Sequence, residues 1–291
     1  MSSLTVLLVV LAALAHATWN LLAKRAASAG PAFVFAYSAA ALLVYAPWVI
    51  WLLVTGRVNW SWPVIACIVV SGAIHLAYSL FLQRGYQVAD LSVVYPVARG
   101  TGPLLATVGA FVILGEPPRL LGIIGLLTIV IGILMITTDG SFAKFRRPEA
   151  QKGMRWGTAT GSMIASYTVV DAYGVKVLGI HPVILDWFSL VVRLVMMGPW
   201  VLNNRALVVE RMRGKWWVAL AVGVLSPMGY ILVLTALQLG APLTFVAPAR
   251  EMSMMAGALL GMIVLREKVG WCRLGGCLVL LMGVVMLGSG G

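Results

Sequence analysis

Ten apolar runs, each of about 20 residues or more, divide the sequence at 3–23, 31–54, 62–83, 91–115, 118–138, 154–176, 182–203, 216–238, 241–265 and 269–289. A hydrocarbon layer about 30 Å thick is crossed by about 20 residues of helix, so each run matches one crossing. The runs are apolar throughout rather than at alternate positions, which excludes a membrane β-barrel. Of the 291 residues 61% are apolar and 10% are charged, against about 25% charged in soluble domains. The expected fold is an all-α polytopic membrane protein of ten transmembrane helices, with the lipid bilayer as its first partner. The connections are too short to house a separate catalytic module.

The net charge of +12 is distributed by topology. Lys24, Arg25, Arg84, Lys144, Arg146, Arg147, Lys152, Arg155, Arg205, Arg211, Arg213, Lys215, Arg266, Lys268 and Arg273 fall on one side of a ten-span chain, and only Arg57, Arg119 and Lys176 fall on the other. This asymmetry places loops 139–153 and 204–215 in the cytoplasm and both termini in the periplasm of a bacterial inner membrane. No nucleic-acid partner is needed to account for the charge. Ala15-His16-Ala17 mimics a signal-peptidase site, but no Lys or Arg precedes the first run while Lys24 and Arg25 follow it, so a retained first span is expected. Cys67, Cys272 and Cys277 show no metal or redox spacing and read as packing residues. His16, His75 and His181 form no H-E-x-x-H, and neither a Walker A motif nor G-x-S-x-G is present. Neither a cofactor nor a metal is expected, and the chain reads as a non-enzyme.

Sliding the sequence against itself by 151 residues pairs Gln87 with Gln238, Arg99 with Arg250, Glu116 with Glu267, Gly125 with Gly276 and Gly132 with Gly283. Polar residues are scarce here, so their coincidence marks a duplication: residues 1–138, a basic linker 139–153, and residues 154–291. Five spans per half is an odd number, so the halves enter the membrane with opposite orientation. Inverted repeats are an architecture of secondary transporters, with the solute site at the repeat interface near the midplane.

The first half carries His16-Ala17-Thr18-Trp19-Asn20 followed by Lys24, then Leu114-Gly115-Glu116 closing the fourth span and Gly122, Gly125 and Gly132 in the fifth. The second half repeats the latter pattern at Leu265-Arg266-Glu267 and Gly275, Gly276 and Gly283. These residues resemble the EamA branch of the drug/metabolite transporter superfamily over nearly the whole chain. The resemblance implies ten spans as two inverted five-helix repeats, and export of amino acids or other small metabolites. The His-Ala-Thr-Trp-Asn stretch is also similar to EamA members associated with phosphonate use. The halves differ where Arg266 replaces Gly115 and where Asp171-Ala172 stands in place of a second Trp-Asn.

Ionisable groups inside spans are expensive, about 2.5–3.5 kcal/mol each on insertion scales, and ask for partners or a wet cavity. Arg99, Arg193 and Arg250 are three such groups. Arg99 and Arg250 lie eight and nine residues into their spans, which puts both close to the midplane from opposite sides. Pro96 and Pro248 beside them remove backbone donors and free carbonyls. Arg250 has Glu251 next to it and is expected to be tied into its own half, which leaves Arg99 as the favoured anion ligand. The alternative makes both arginines struts paired with Glu251, Asp171 or Asp186.

Further polar residues fall on single helical faces: His16, Asn20 and Lys24; Ser71, His75, Ser79 and Gln83 with Tyr78; Tyr167 and Asp171. Trp19, Tyr78, Tyr95, Tyr167, Trp187 and Tyr230 are candidate cavity walls. Trp48, Trp51, Trp60, Trp62, Trp216 and Trp217 suit the membrane interfaces. The candidate substrate set is therefore Arg99, Arg250, Tyr95, His16, Trp19, Asn20, His75, Tyr78 and Tyr167, with Asp171 and Glu251 as proton-coupling candidates. The expected activity is secondary transport of a small anionic or zwitterionic metabolite, in the export direction. Uptake or exchange of an organic phosphate or phosphonate is the alternative, with an intramembrane enzyme or a scaffold as competing classes. Proton coupling and a homodimer are left open.

Overall fold

Helix starts and stops follow the chain's prolines and glycines. Pro31 and Pro182 open helices at their first turn, where a missing N–H costs nothing. Gly115 and Gly240 close helices at φ 66° and 94°, the left-handed region that other residues avoid. The computed structural model describes residues 2–56, 58–88, 91–138, 140–141, 143–146, 150–257 and 270–289. These form α1 (Ser3–Arg25), α2 (Pro31–Val54), α3 (Trp62–Val88), α4 (Leu91–Ile113), α5 (Leu120–Thr138), α6 (Ala150–Lys176), α7 (Pro182–Asn203), α8 (Arg205–Met212), α9 (Trp216–Gln238), α10 (Leu243–Ala249) and α11 (Trp271–Ser289). Residues 258–265 of the expected ninth span, Arg266 and Glu267 after it, and Arg57, Arg147 and Lys268 of the charge pattern lie outside the described residues.

Among the described residues eight helices are long and apolar enough to cross a membrane: α1–α5, α7, α9 and α11. The expected sixth span is not in this set, and the expected ninth, 241–265, is described only to residue 257. α6 has 27 residues and the length to cross, but Thr160, Ser162, Ser166, Thr168 and Asp171 make it polar. Its hydroxyls are largely self-satisfied, because each of these Ser and Thr side chains donates to the carbonyl four residues earlier. α10 stops at Ala249, and helix resumes only at 252–257. Across the break the bonds Glu251 N to Pro248 O and Met254 N to Glu251 O run three residues back rather than four. Pro96 leaves α4 continuous, so only Pro248 is followed by a break.

The surface is inverted relative to a soluble protein. Leu4, Leu7, Leu11 and Leu14 expose one face of α1, and Leu120, Leu127 and Ile131 do so on α5, while Asp171 and Glu251 are fully buried. Trp48, Trp51, Trp60, Trp62, Trp216 and Trp217 are exposed near helix ends, as interfacial tryptophans are.

Helix contacts exchange when the halves are swapped. α1 packs on α9 as α6 packs on α3, and α2 packs on α9 as α7 packs on α3. The symmetry is sharpest at the α5–α11 seam. A Cβ at Gly125 would stand 2.8 Å from Gly283 O, and one at Gly283 would stand 2.6 Å from Gly125 O. Gly132 and Gly276 meet in the same way, at 2.9 and 3.0 Å. The early glycine of each helix faces the late glycine of the other, so these equivalent helices run antiparallel, backbone against backbone.

Replacing Gly132 by alanine forces its Cβ to within 2.7 Å of Leu280 N. We expect Gly132→Ala to lower stability by about 1–3 kcal/mol. Gly122→Ala, in α5 with nothing nearer than Leu287 Cδ2 at 3.8 Å, should be neutral or stabilising by up to about 1 kcal/mol. Thermal unfolding in detergent compares the two.

Candidate functional site

The two arginines at equivalent repeat positions meet around one carboxylate. Arg99 Nε stands 2.9 Å from Glu251 Oε2, and Arg99 Nη2 donates to Ser253 Oγ at 3.0 Å. The guanidinium also lies 5.7 Å from the Tyr95 ring centroid. Desolvating an ion costs several kcal/mol, and this pair offsets that cost with a charge-assisted contact between the halves.

Arg250 is arranged differently. It is 3% exposed and its guanidinium carbon lies 5.9 Å from the Tyr167 ring centroid. Its Nε is buried without a hydrogen-bond partner among the described residues, although Glu251 is within electrostatic reach. The expectation that Arg250 would be tied and Arg99 left unpaired is therefore reversed. Successive helical residues point about 100° apart, so adjacency along the chain does not pair Arg250 with Glu251. The turn at 250–251 sends Glu251 toward α4 and Arg250 toward Tyr167 on α6.

A second cluster adjoins the first through Tyr167. His75 stacks on that ring at 3.9 Å and 22°, and Tyr78 and Tyr230 meet it edge-on at 5.7 and 6.1 Å. His75 Nε2, at 3.1 Å, and the Tyr230 hydroxyl both donate to Asp171 Oδ2. Asp171 Oδ1 is buried without a hydrogen-bond partner among the described residues. A buried acceptor left so costs about 1–3 kcal/mol, which a proton or a ligand donor would relieve.

His16 is buried, and its Nδ1 lies 2.8 Å from Ala12 O. A carbonyl only accepts, so Nδ1 carries a hydrogen and donates it. Arg250 and Arg99 act on this ring electrostatically. Asn20 is exposed, and its side chain donates to His16 O at 2.7 Å rather than pointing into the cluster. Trp19 lies 6.0 Å from His16 and packs on the apolar group around Ala26 and Phe33. The side chains of Lys24 and Gln83 lie outside the described residues.

Other expected members belong to packing. Ser189 donates to Ser71 at 3.1 Å, Ser79 donates to His75 O, and Trp187 Nε1 donates to Leu42 O at 2.9 Å. Arg193 is served electrostatically by Asp186 on its own helix. A cavity of about 350 Å³ lined by Pro63, Cys67, Val70, Ile113, Val169 and Tyr173 is apolar and involves none of the cluster residues. Ser253 and the bonding role of Tyr230 were not evident beforehand. The spacing of Ser253 from Arg250 is a weak cue, and nothing in sequence aims Tyr230 at Asp171.

The model of the EamA-like transporter family matches residues 3–138 and again 151–289. The chain belongs to the EamA-like transporter family. A crystal structure of another protein, 17% identical, superposes over 98% of this chain and 97% of its own with a TM-score of 0.73, which shows that the two share a fold. No curated protein matches the chain. As an EamA-type chain it is a multi-pass membrane protein of the transporter class, and the family model matches it as two successive repeats.

The Arg99–Glu251 pair makes a specific demand on stability. Arg99→Gln strands a fully buried carboxylate and should cost about 3–5 kcal/mol. Adding Glu251→Gln to that variant should restore part of the loss, since it removes the stranded carboxylate but also the negative charge near Arg250. Thermal midpoints of the single and double variants decide this, and equal midpoints would contradict it.

Proposed function

We propose that this EamA-type chain is a ten-crossing secondary transporter that moves a small anionic or zwitterionic solute, such as an amino acid, across a bacterial inner membrane. Transport runs by alternating access, in the export direction that the resemblance to metabolite exporters supports. The linker 139–153 lies in the cytoplasm and both termini lie in the periplasm, as the basic residues suggest.

The observation that carries this reading is the arginine pair. Two equivalent arginines, one from each repeat, lie in the protein interior near Glu251, Arg99 in close contact with its carboxylate and Arg250 within its electrostatic reach. Glu251 neutralises Arg99, and Arg250 keeps an unused donor against the Tyr167 ring. A solute carboxylate or phosphonate would accept hydrogen bonds from Arg250 while Tyr167, Tyr78 and Tyr95 bracket its apolar part. Asp171 is preferred to Glu251 as the proton carrier, because Glu251 is committed to the Arg99 guanidinium while Asp171 Oδ1 has no hydrogen-bond partner among the described residues. Its partners His75 and Tyr230 hold the other oxygen and fix the carboxylate in place. The central side chains are buried, so a solute reaches them only when the helices part.

Arg250→Gln should leave the thermal midpoint near that of the parent and weaken binding by about 1.5–3 kcal/mol. The check is a thermal-shift titration with a panel of amino acids, carboxylates and phosphonates, then uptake of whichever solute stabilises the parent. A panel without a single saturable stabilisation would count against a carrier of this class.

Asp171→Asn should abolish pH-driven uptake of that solute in proteoliposomes. Exchange at equal pH, which needs no net proton movement, should persist. Unchanged pH dependence would remove Asp171 from the coupling path.

A further inference from the structure

Glu116 lies between α4 and α5, at one end of the bundle and far along the chain from its partners. Its Oε1 accepts from Lys176 Nζ at 2.9 Å and from Leu243 N at 2.6 Å, and its Oε2 accepts from Thr244 N at 2.9 Å. Lys176 Nζ also donates to Ala241 O at 3.2 Å. One carboxylate from the first repeat thus holds two elements of the second, the C-terminal end of α6 and the first residues of α10.

Those two elements carry the candidate site. α6 bears Tyr167 and Asp171, and α10 leads into Arg250 and Glu251 about 10 Å further along at the helical rise. First-turn N–H groups have no partner within their helix, so a carboxylate seated on them fixes where the helix begins. We infer that Glu116 is a positioning residue, a latch that keeps the passage to the arginine site shut at the face bearing the 114–119 loop by gripping α6 and α10 together. This rests on the transporter reading above.

Burial pushes the Glu116 carboxyl up, but the Lys176 ammonium and the Thr244 and Leu243 N–H groups together outweigh it and hold the group below the usual carboxylate range. A depressed carboxyl stays ionised at neutral pH and loses its contribution only as pH falls through that lowered value. The latch therefore opens when α10 and Lys176 are drawn away from Glu116, and modest acidification leaves it closed.

The test reads access directly. Val246, buried on α10 one turn before Arg250, is changed to cysteine in a chain whose Cys67, Cys272 and Cys277 are alanine. A membrane-impermeant maleimide is then applied from the side of the 114–119 loop. Labelling should be slow with Glu116 intact, and about 10- to 100-fold faster with Glu116→Gln or Lys176→Gln, the shift expected for losing a charge-assisted contact. It should fall back toward the slow rate with Glu116→Asp, which keeps the charge. A chain retaining only Cys277, buried on α11, should label equally with and without Glu116→Gln.

Unchanged Val246→Cys labelling in both latch variants would overturn the inference. So would labelling that rises in step with that of Cys277, since that marks general loosening. If Glu116→Gln does not fold, Lys176→Gln decides alone. No solute enters this measurement, so its failure leaves the carrier reading to be judged separately by uptake.

Discussion

An ion in hydrocarbon is tolerated only where the protein supplies its counter-charge, and here the principal counter-charge comes from the other half of the chain. Arg99 belongs to the first repeat and Glu251 to the second. Burial of this pair therefore requires that the halves be assembled. Much of the local architecture follows from that requirement. The helix interruption after Ala249 turns Glu251 toward α4, Ser253 takes a second guanidinium donor, and Tyr95 lies near the cation.

Elsewhere the polar groups are kept inexpensive. Hydroxyls on α5, α6 and α9 donate to the carbonyl a turn back, so they ask nothing of neighbouring helices. Among the described residues' buried side-chain atoms without a hydrogen-bond partner, Arg250 Nε and Asp171 Oδ1 lie on residues linked by the aromatic group of Tyr167 and Tyr230. A donor and an acceptor left unmet in one cluster are the mark of a site that trades stability for a ligand or a proton.

Much of the helical framework was legible because lipid imposes length and apolarity together, a strong and simple signal. It weakened where other constraints competed. α3 runs on to Val88, past the apolar run ending at residue 83, because a helix need not stop where the apolar signal does. α6 is polar because it carries Thr160, Ser162, Ser166 and Thr168 as well as Asp171 of the cluster. The repeat register was legible from a few rare residues, and Gly125, Gly132, Gly276 and Gly283 proved to be contact points as well as markers. The pairing of charges was not legible. It depends on the direction in which Arg250 and Glu251 leave the backbone, and adjacency in sequence suggested the wrong partner. Glu116 read only as a repeat marker, since its three partners are 60 to 128 positions away.

The seam between α5 and α11 has a mechanical consequence. Helices that touch through side chains can slide as rotamers readjust, but helices that touch through glycine backbone have nothing to readjust. Any shift along the seam drives a neighbouring Cβ into a carbonyl oxygen. Such contact resists relative displacement and ties the two halves together along one shared pair of helices.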